Sequence, residues 1–369
     1  MGLRVAVTAA ALRSALADEP REAWQRLIAG ESALAPIEGF DASGFGAPQA
    51  AQIWKEPDGP EDDPALRILG PHGRILDAVA RAAHAAGGLD ALPRERVGLF
   101  AGMGMVDAPV HDLAAAALAA RQPGAGLTLD AFFDGGYRAI HPLWPLSMLG
   151  NVAVGQVSID LDVRGDNLVL ASDADAGLRA LLEGARSVAR GDCGAALAAG
   201  VSGRVTPQAL ARLALQERLG PVELGEGGAA LTFERPTPER DVRARAWLTG
   251  GGTAYGRSLE GGPDFDAWRR AIGAALAEAG LEPSAIDLVF CHAEGHGPAD
   301  REERDALEAL GLDGARAIRS KEALGHLGAG APAADLALAV AALGEDGARA
   351  LILAGGPLGG AGALVVEAA

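Results

Sequence analysis

Leu168-Val-Leu-Ala171, followed by Ser172-Asp-Ala-Asp-Ala-Gly177 and a segment that ends at Gly191, is the stretch that decides the fold. The unbroken apolar run 168–171 predicts a strand that is buried on both faces. Gly191 is a typical helix end, and five apolar residues before it recur at helical spacing, namely Leu178, Leu181, Leu182, Ala185 and Val188. A buried strand that leads into an amphipathic helix predicts an α/β protein.

The same alternation continues on both sides of this stretch. Strands are predicted at Arg4–Ala10, Arg96–Ala101, Ala195–Gly200 and Ala229–Phe233, from Arg243 onward, and at Ile286–Cys291, Leu351–Gly355 and Ala363–Val366. Helices are predicted from a cap at Asp18 to Arg26, at Asp264–Ala279 and at Ala333–Leu343. The polar, proline-bearing segment 235–240 separates two parts with a similar order of elements. We therefore predict two halves, residues 1–235 and residues 236–369.

The composition restricts the classes of function. The chain has 369 residues and a formal net charge of −17, which argues against nucleic acid and anionic membranes as partners because phosphate binding needs a basic surface. No stretch approaches the roughly 18 uninterrupted apolar residues of a membrane span. The two cysteines, Cys193 and Cys291, indicate neither a disulfide framework nor a zinc site, and each is interpreted as a small buried residue. We expect no metal and a reducing, cytoplasmic location.

The first motif runs from Asn151-Val-Ala-Val-Gly-Gln156 through Val163-Arg-Gly-Asp-Asn167 to Ala171-Ser-Asp-Ala174. It resembles the β-ketoacyl synthases of the thiolase superfamily, in which a similar Asn-x-Ala-x-Gly-Gln run precedes Arg-Gly-Pro-Asn and then Thr-Ala-Cys. A gapless overlay places the family's nucleophilic cysteine on Ala174. The resemblance thus implies a lost nucleophile, because a methyl group cannot form an acyl-enzyme.

Asp173 and Asp175 flank this position. One interpretation is that they bind substrate at the former nucleophile site. The other is that they form an acidic pair at a helix start, where the helix dipole favours negative charge. The sequence leaves both open.

The second motif is Ile286-Asp-Leu-Val-Phe-Cys-His292-Ala-Glu294-Gly-His296-Gly-Pro-Ala-Asp300. Synthases have a run here that ends Ala-His-Gly-Thr-x-Thr-Pro-x-x-Asp. A gapless overlay puts their first active-site histidine on His292, and puts their two pantetheine-holding threonines on Glu294 and His296. A one-step shift would bring Glu294 or His296 near that position instead. The segment is also similar to the Val-Phe-Ala-Asp-Ala-Ala-Gly-x-Pro run of chain-length factors, the synthase relatives that lack the cysteine.

The third motif, Ser320-Lys-Glu-Ala-Leu-Gly-His-Leu-Gly-Ala329, resembles the family's Lys-Ser-x-x-Gly-His-x-x-Gly-Ala run. The resemblance makes Lys321 the active-site lysine and His326 the second histidine, with Asp335 at the position of a family glutamate. In active synthases the histidines donate hydrogen bonds to the enolate oxygen that forms when malonyl loses CO₂. The loop 355–360 resembles the C-terminal Phe-Gly-Phe-Gly-Gly loop that gates the acyl pocket, with Leu358 at the gating aromatic.

The resemblance implies a thiolase-like, duplicated αβαβα five-layer sandwich. Family members are dimers that pair their central strands, and each subunit contributes to its partner's pocket. We therefore expect a chain-length factor that forms a heterodimer with an active ketosynthase and shapes the tunnel for a polyketide, polyene or fatty-acyl chain. An acyl carrier protein would bring its own phosphopantetheine and dock mainly on the partner, because carriers are usually acidic like this chain. No cofactor of its own is expected.

Two alternatives stay open. One is a malonyl-carrier decarboxylase that uses His292, His326 and Lys321 without acyl transfer; the replacement of the two threonines argues against it. The other is a scaffold or acyl-binding homodimer. A structural interpretation of His292, Lys321 and His326 also stays open: as relics in a buried hydrogen-bonded group, they would be retained because the loss of one member leaves unpaired polar atoms at a cost of roughly 1–3 kcal/mol.

Overall fold

The computed structural model describes residues 2–46, 48–53, 69–104, 110–122, 124–215, 223–237, 243–259, 262–293 and 297–369. The strands are β1 Val5–Ser14, β2 Ala35–Pro36, β3 Gln49–Ala51, β4 Val97–Met103, β5 Arg121–Gln122, β6 Gly126–Leu127, β7 Asn167–Ala171, β8 Ala195–Gly203, β9 Leu224–Glu234, β10 Ala246–Tyr255, β11 Ser258–Leu259, β12 Gly262–Pro263, β13 Leu288–Phe290, β14 Arg316–Ile318, β15 Arg349–Gly355 and β16 Gly360–Ala368. The helices are α1 Pro20–Ile28, α2 Pro71–Gly87, α3 Val110–Ala119, α4 Leu129–Asp134, α5 Gly150–Asp160, α6 Ala174–Arg190, α7 Pro207–Leu215, α8 Phe265–Ala279, α9 Gly297–Ala309, α10 Lys321–Leu324 and α11 Ala331–Ala342.

The strand order contains the same pattern twice. Hydrogen bonding follows the path β14-β13-β15-β16-β10-β1-β9-β8-β4-β7. From β1 outward, two antiparallel pairings (β1 with β9, β9 with β8) precede two parallel ones (β8 with β4, β4 with β7). From β10 outward, β16, β15, β13 and β14 repeat that sequence of orientations. A short antiparallel contact of Val5–Val7 with Ala246–Leu248 joins the two sheets at the centre of the path.

The apolar clusters lie in separate layers. One cluster combines α6 and α11 with residues from both sheets, so these two helices form the middle layer. A second cluster packs α2 and α5 on the outer face of the first sheet, and a third packs α8 and α9 on the outer face of the second sheet. The predicted five-layer αβαβα sandwich of the thiolase type is therefore confirmed. The boundary at residue 235 remains a prediction, and residues 238–242 lie outside the described ranges.

The turn between β7 and α6 behaves as the sequence predicts. Asp173 is the N-cap of α6, where its carboxylate accepts a hydrogen bond from the Ala174 amide. Gly191 ends the helix with a left-handed φ of 85°. The buried face of α6 includes the predicted leucines and alanines, and packs against strands of both sheets. This packing fixes the first residue of α6 between the sheets.

Three local predictions are wrong. Strand β7 is not buried on both faces: it is the last strand of the path, its ends are exposed and its three central residues are partly exposed. A continuous apolar run cannot distinguish a central strand from an edge strand whose apolar side chains remain partly open to solvent. The N-cap of α1 is Glu19, which accepts from the Glu22 amide, whereas Asp18 pairs with Arg13 instead. The second half's first strand begins at Ala246 rather than Arg243.

Candidate functional site

The polar residues of the three motifs meet where parallel strands end. Strands β7 and β8 run parallel to β4, and β14 and β15 run parallel to β13, so the carboxyl ends within each group share one edge of a sheet. Asp173 and Arg204 follow the ends of β7 and β8. His292 and Lys321 follow β13 and β14 in the other sheet. Ligand sites of open α/β sheets form at such carboxyl edges.

His292, Lys321 and His326 lie together and are buried. The Lys321 ammonium donates to the His292 carbonyl at 2.5 Å and lies 3.4 Å from His292 Nδ1. The two imidazole rings are perpendicular, with centroids 6.0 Å apart. The structure thus brings these three motif residues together, and their role in catalysis remains a prediction.

Backbone contacts fix the orientation of His326. Its Nδ1 accepts a hydrogen bond from the Gly328 amide at 2.8 Å, so the ring hydrogen is on Nε2. Its own amide donates to the Glu223 carbonyl at 2.7 Å. The Nε2 hydrogen therefore points to the start of α6, where Asp173 Oδ1 lies 3.8 Å away. In chemical terms, His326 presents a hydrogen-bond donor to that position.

Two buried carboxyl groups, those of Asp335 and Glu303, lie close to the histidines and Lys321. Asp335 accepts from the Ser320 hydroxyl at 2.5 Å, and Glu303 accepts from the His292 amide at 2.8 Å. Burial raises the pKa of Glu303 to about 7 and the pKa of Asp335 to about 6, while the Lys321 charge acts to lower both pKa values. Lys321 thus serves as the cation for two buried carboxyl groups in addition to its contact with His292.

Ala174 is fully buried at the first position of α6. The acidic side chain before it occupies the space in front of His326: Asp173 Oδ2 accepts from Arg204 Nη2 at 3.1 Å, and Asp173 Oδ1 accepts from the Ala174 amide at 2.9 Å. The interpretation of Asp173 as a helix-start acid therefore describes one of its contacts, but the side chain also reaches two residues from other elements.

Asp175 lies under the glycine-rich loop 355–360. A methyl group at Gly356 would lie 2.4 Å from the Asp175 carboxyl carbon, and one at Gly360 would lie 2.9 Å from Asp175 Oδ2. Burial is the main cause that raises the pKa of this carboxyl above its ordinary value. Leu358, in the same loop, is 78% exposed, so its side chain points to solvent in the isolated chain. Roles of Asp175 and Leu358 in substrate binding remain predictions.

The comparisons with known proteins agree with this geometry. The descriptions "Beta-ketoacyl synthase, N-terminal domain" and "Beta-ketoacyl synthase, C-terminal domain" match residues 3–222 and 251–350. The chain belongs to the β-ketoacyl synthase family.

Two relatives and one solved structure illustrate its place among the β-ketoacyl synthases. The chain is 26% identical to 3-oxoacyl-[acyl-carrier-protein] synthase 2 of Coxiella burnetii, over 93% of this chain and 86% of that protein. It is 30% identical to the granaticin polyketide putative beta-ketoacyl synthase 2 of Streptomyces violaceoruber, over 87% of this chain and 79% of the relative. The structure titled "The ishigamide ketosynthase/chain length factor" superposes with a TM-score of 0.81 at 22% identity and full coverage of both chains.

The nucleophile of the β-ketoacyl synthases is a cysteine, so the surroundings of this chain's two cysteines are relevant to its chemistry. Cys193 packs in the cluster of the middle layer, and Cys291 packs in the outer cluster with α8. The pKa of the Cys291 thiol is raised far above its ordinary value, chiefly by burial and next by Glu303. A buried thiol with a raised pKa is a poor nucleophile, so Cys291 is not suited to that role.

Two of the predicted site residues, Glu294 and His296, lie outside the residues that the structure describes. Among the residues that the structure describes, no group of histidine, cysteine and acidic side chains has the arrangement of a metal site, and none of the helices combines the length and hydrophobicity that a membrane span needs.

Sequence reasoning missed Arg204, Ser202, Ser320 and Glu303. Glu303 lies on the buried side of α9 together with Ala306 and Leu307, which follow it at helical spacing. A charged residue within an apolar stripe was therefore the sequence signal that could have identified it. Arg204 follows directly on the buried strand β8, and its position at a carboxyl edge was a second signal.

Proposed function

We propose that this chain is the non-condensing, chain-length-factor subunit of a heterodimeric ketosynthase. The observation that carries the proposal is Ala174, a fully buried methyl group at the start of α6 where the family's motif has cysteine. Neither cysteine of the chain supplies a thiol there. The subunit would therefore act through its shape, and the partner would carry the acyl chain on its own cysteine.

The exposed edge of β7 supports a dimer. A strand that ends a sheet leaves backbone groups available for pairing with another chain. Exposed apolar side chains are numerous in the segment between β4 and β7, including Leu129, Phe133, Leu149 and Ile159. Ile159 lies on α5 beside Ser158, whose hydroxyl accepts from Asn167 at the start of β7. Many exposed large apolar side chains in one part of a chain are typical of a protein interface.

The partner would be an active, cysteine-bearing ketosynthase, and the joint interface would bury more than about 1,600 Å². The tunnel shaped by the pair would hold the growing polyketide, polyene or fatty-acyl chain. The acyl carrier protein would dock mainly on the partner, because the net charge of −17 on this chain would repel an acidic carrier.

Co-expression with the ketosynthase encoded beside it tests assembly. We expect a stable 1:1 complex in size-exclusion chromatography with light scattering. Ile159→Asp should weaken the complex by at least about tenfold, because a carboxylate would be desolvated in the interface. The matched control is Leu215→Asp on α7, a helix that packs against residues 43–45; Leu215 is 86% exposed, compared with 73% for Ile159, and its substitution should leave assembly unchanged. A chain that stays a homodimer and does not bind this partner would contradict the proposal.

The decarboxylase alternative has one observation in its favour: His326 Nδ1 accepts from the Gly328 amide, so its ring hydrogen lies on Nε2, the tautomer that an enolate oxygen would need as a donor. The Asp173 carboxylate opposes it, because its Oδ1 lies 3.8 Å from that nitrogen and would repel a second anion. We therefore expect the isolated chain to release CO₂ from malonyl-carrier protein no faster than the uncatalysed rate, as measured with ¹⁴C-malonyl groups. Release that is lost in His326→Ala would favour the decarboxylase instead.

A further inference from the structure

We infer that Asp173 is a resident carboxylate that occupies an anion-binding position at the start of α6 and keeps acyl-derived carboxylates, such as malonyl groups, out of it. The side chain is mostly buried, accepts two hydrogen bonds and lies near a third donor. The three donors are the Ala174 amide at 2.9 Å, the Arg204 guanidinium at 3.1 Å and the His326 Nε2 at 3.8 Å. An amide at a helix start, a guanidinium and an imidazole N–H form a typical set of donors for a carboxylate.

The position offers more donors than one carboxylate uses. The Ser202 hydroxyl is completely buried, and among the described residues it has no hydrogen-bond partner; the same holds for Arg204 Nε. Both groups border the Gly328 turn, since a methyl group at Gly328 would lie 3.3 Å from Ser202 Oγ and 3.2 Å from Arg204 Cζ. An unsatisfied buried hydroxyl beside a guanidinium is an independent sign of a site built for oxygen atoms.

The class of ligand follows from the geometry of the resident group. The donors already hold one planar carboxylate, and the next residue is alanine, so a short carboxylate would fit once the Asp173 side chain is removed. The removed CH₂–COO⁻ group is equivalent to one half of malonate, so malonate would place one of its two carboxylates among these donors. While Asp173 is present, a second carboxylate would meet like charge at close range with little solvent screening. The inference rests on the proposed function for its biological meaning, whereas its test needs only the isolated chain.

The test compares Asp173→Ser with the wild type and with Asp173→Asn. Serine keeps an oxygen that can cap α6 but removes the charge and most of the volume; asparagine keeps the volume and removes the charge. Binding of ¹³C-malonate is followed by NMR and by calorimetry, with neutral malonamide as the probe for non-specific effects. We expect Asp173→Ser to bind malonate saturably and at least about tenfold more tightly than the other two proteins. Adding Arg204→Gln to Asp173→Ser should abolish that binding.

Two results would overturn the inference: wild-type protein that binds malonate as tightly as Asp173→Ser, or an Asp173→Ser protein that binds none. If Asp173→Ser is too unstable for the binding measurements, its melting temperature tests the inference instead, because malonate should raise the melting temperature and malonamide should not. No rise would again count against the inference. Since no partner subunit is present, a negative result leaves the heterodimer proposal to its own co-expression test.

Discussion

Gly177→Ala is expected to prevent stable folding, with a loss of more than about 3 kcal/mol in the free energy of unfolding. A methyl group at this position would lie 1.9 Å from the Ala329 carbonyl oxygen and 2.9 Å from Pro332 Cγ. Backbone also approaches from the other side, because a methyl group at Gly102 would lie 2.4 Å from Gly177 Cα. The helix α6 is thus held between β4 and the turn before α11 with no space for a side chain.

The matched control is Gly273→Ala in the interior of α8, where a methyl group would meet nothing within 4 Å. The same substitution should stabilise the protein there by roughly 1 kcal/mol, because alanine has the better helix propensity. Soluble yield and urea unfolding followed by circular dichroism measure both effects. A Gly177→Ala protein that unfolds at the wild-type urea concentration would show that the middle layer can shift to make room.

Lys321→Met is expected to lower the free energy of unfolding by roughly 3–5 kcal/mol near neutral pH. The ammonium is the shared cation of Glu303 and Asp335, whose carboxyl pKa values burial raises to about 7 and about 6. Without the ammonium, those pKa values would rise further, and the ionised forms would be buried without a counter-charge.

This cost should depend on pH with a definite sign. Both carboxyl pKa values in the folded chain lie above their ordinary values of 4.5 and 3.8, so the folded state holds these protons more tightly than the unfolded state. Their contribution favours folding at low pH and is lost as the pH rises through the folded-state pKa values. Urea unfolding should therefore show a larger Lys321→Met cost at about pH 8 than at about pH 5.

The neighbouring Arg319→Met is the control for Lys321→Met. Arg319 and Glu322 are both exposed and 3.6 Å apart, so the loss of this pair should change the free energy of unfolding by less than about 0.5 kcal/mol at either pH. An equal cost of Lys321→Met at the two pH values would mean that Glu303 and Asp335 do not depend on its charge.

The fold and the histidine–lysine part of the site were accessible from the sequence. Apolar periodicity located the cores of α6, α8 and α11, and the resemblance of two motifs to those of the β-ketoacyl synthases predicted that His292, Lys321 and His326 share one site. The edge position of β7 was not accessible, because a run of apolar residues does not show how many strands lie beside it. Glu303 and Arg204 carried signals in the sequence, a charge within an apolar stripe and a charge after a buried strand, but only the packing of α9 and β8 shows which side chains they contact.

The sequence by itself determined that position 174 carries no nucleophile, because the side chain's chemistry is a local property of the residue. It also predicted the strands of the hydrogen-bonded path other than β14 and the helices α1, α6, α8 and α11, which follow from local periodicity and turn residues. Only the tertiary structure decided that Asp173 meets Arg204 and His326, and that Lys321 serves two buried carboxyl groups. These contacts join residues that are far apart along the chain, and both the distances and the burial that shifts the pKa values arise from the packing of two sheets around α6 and α11.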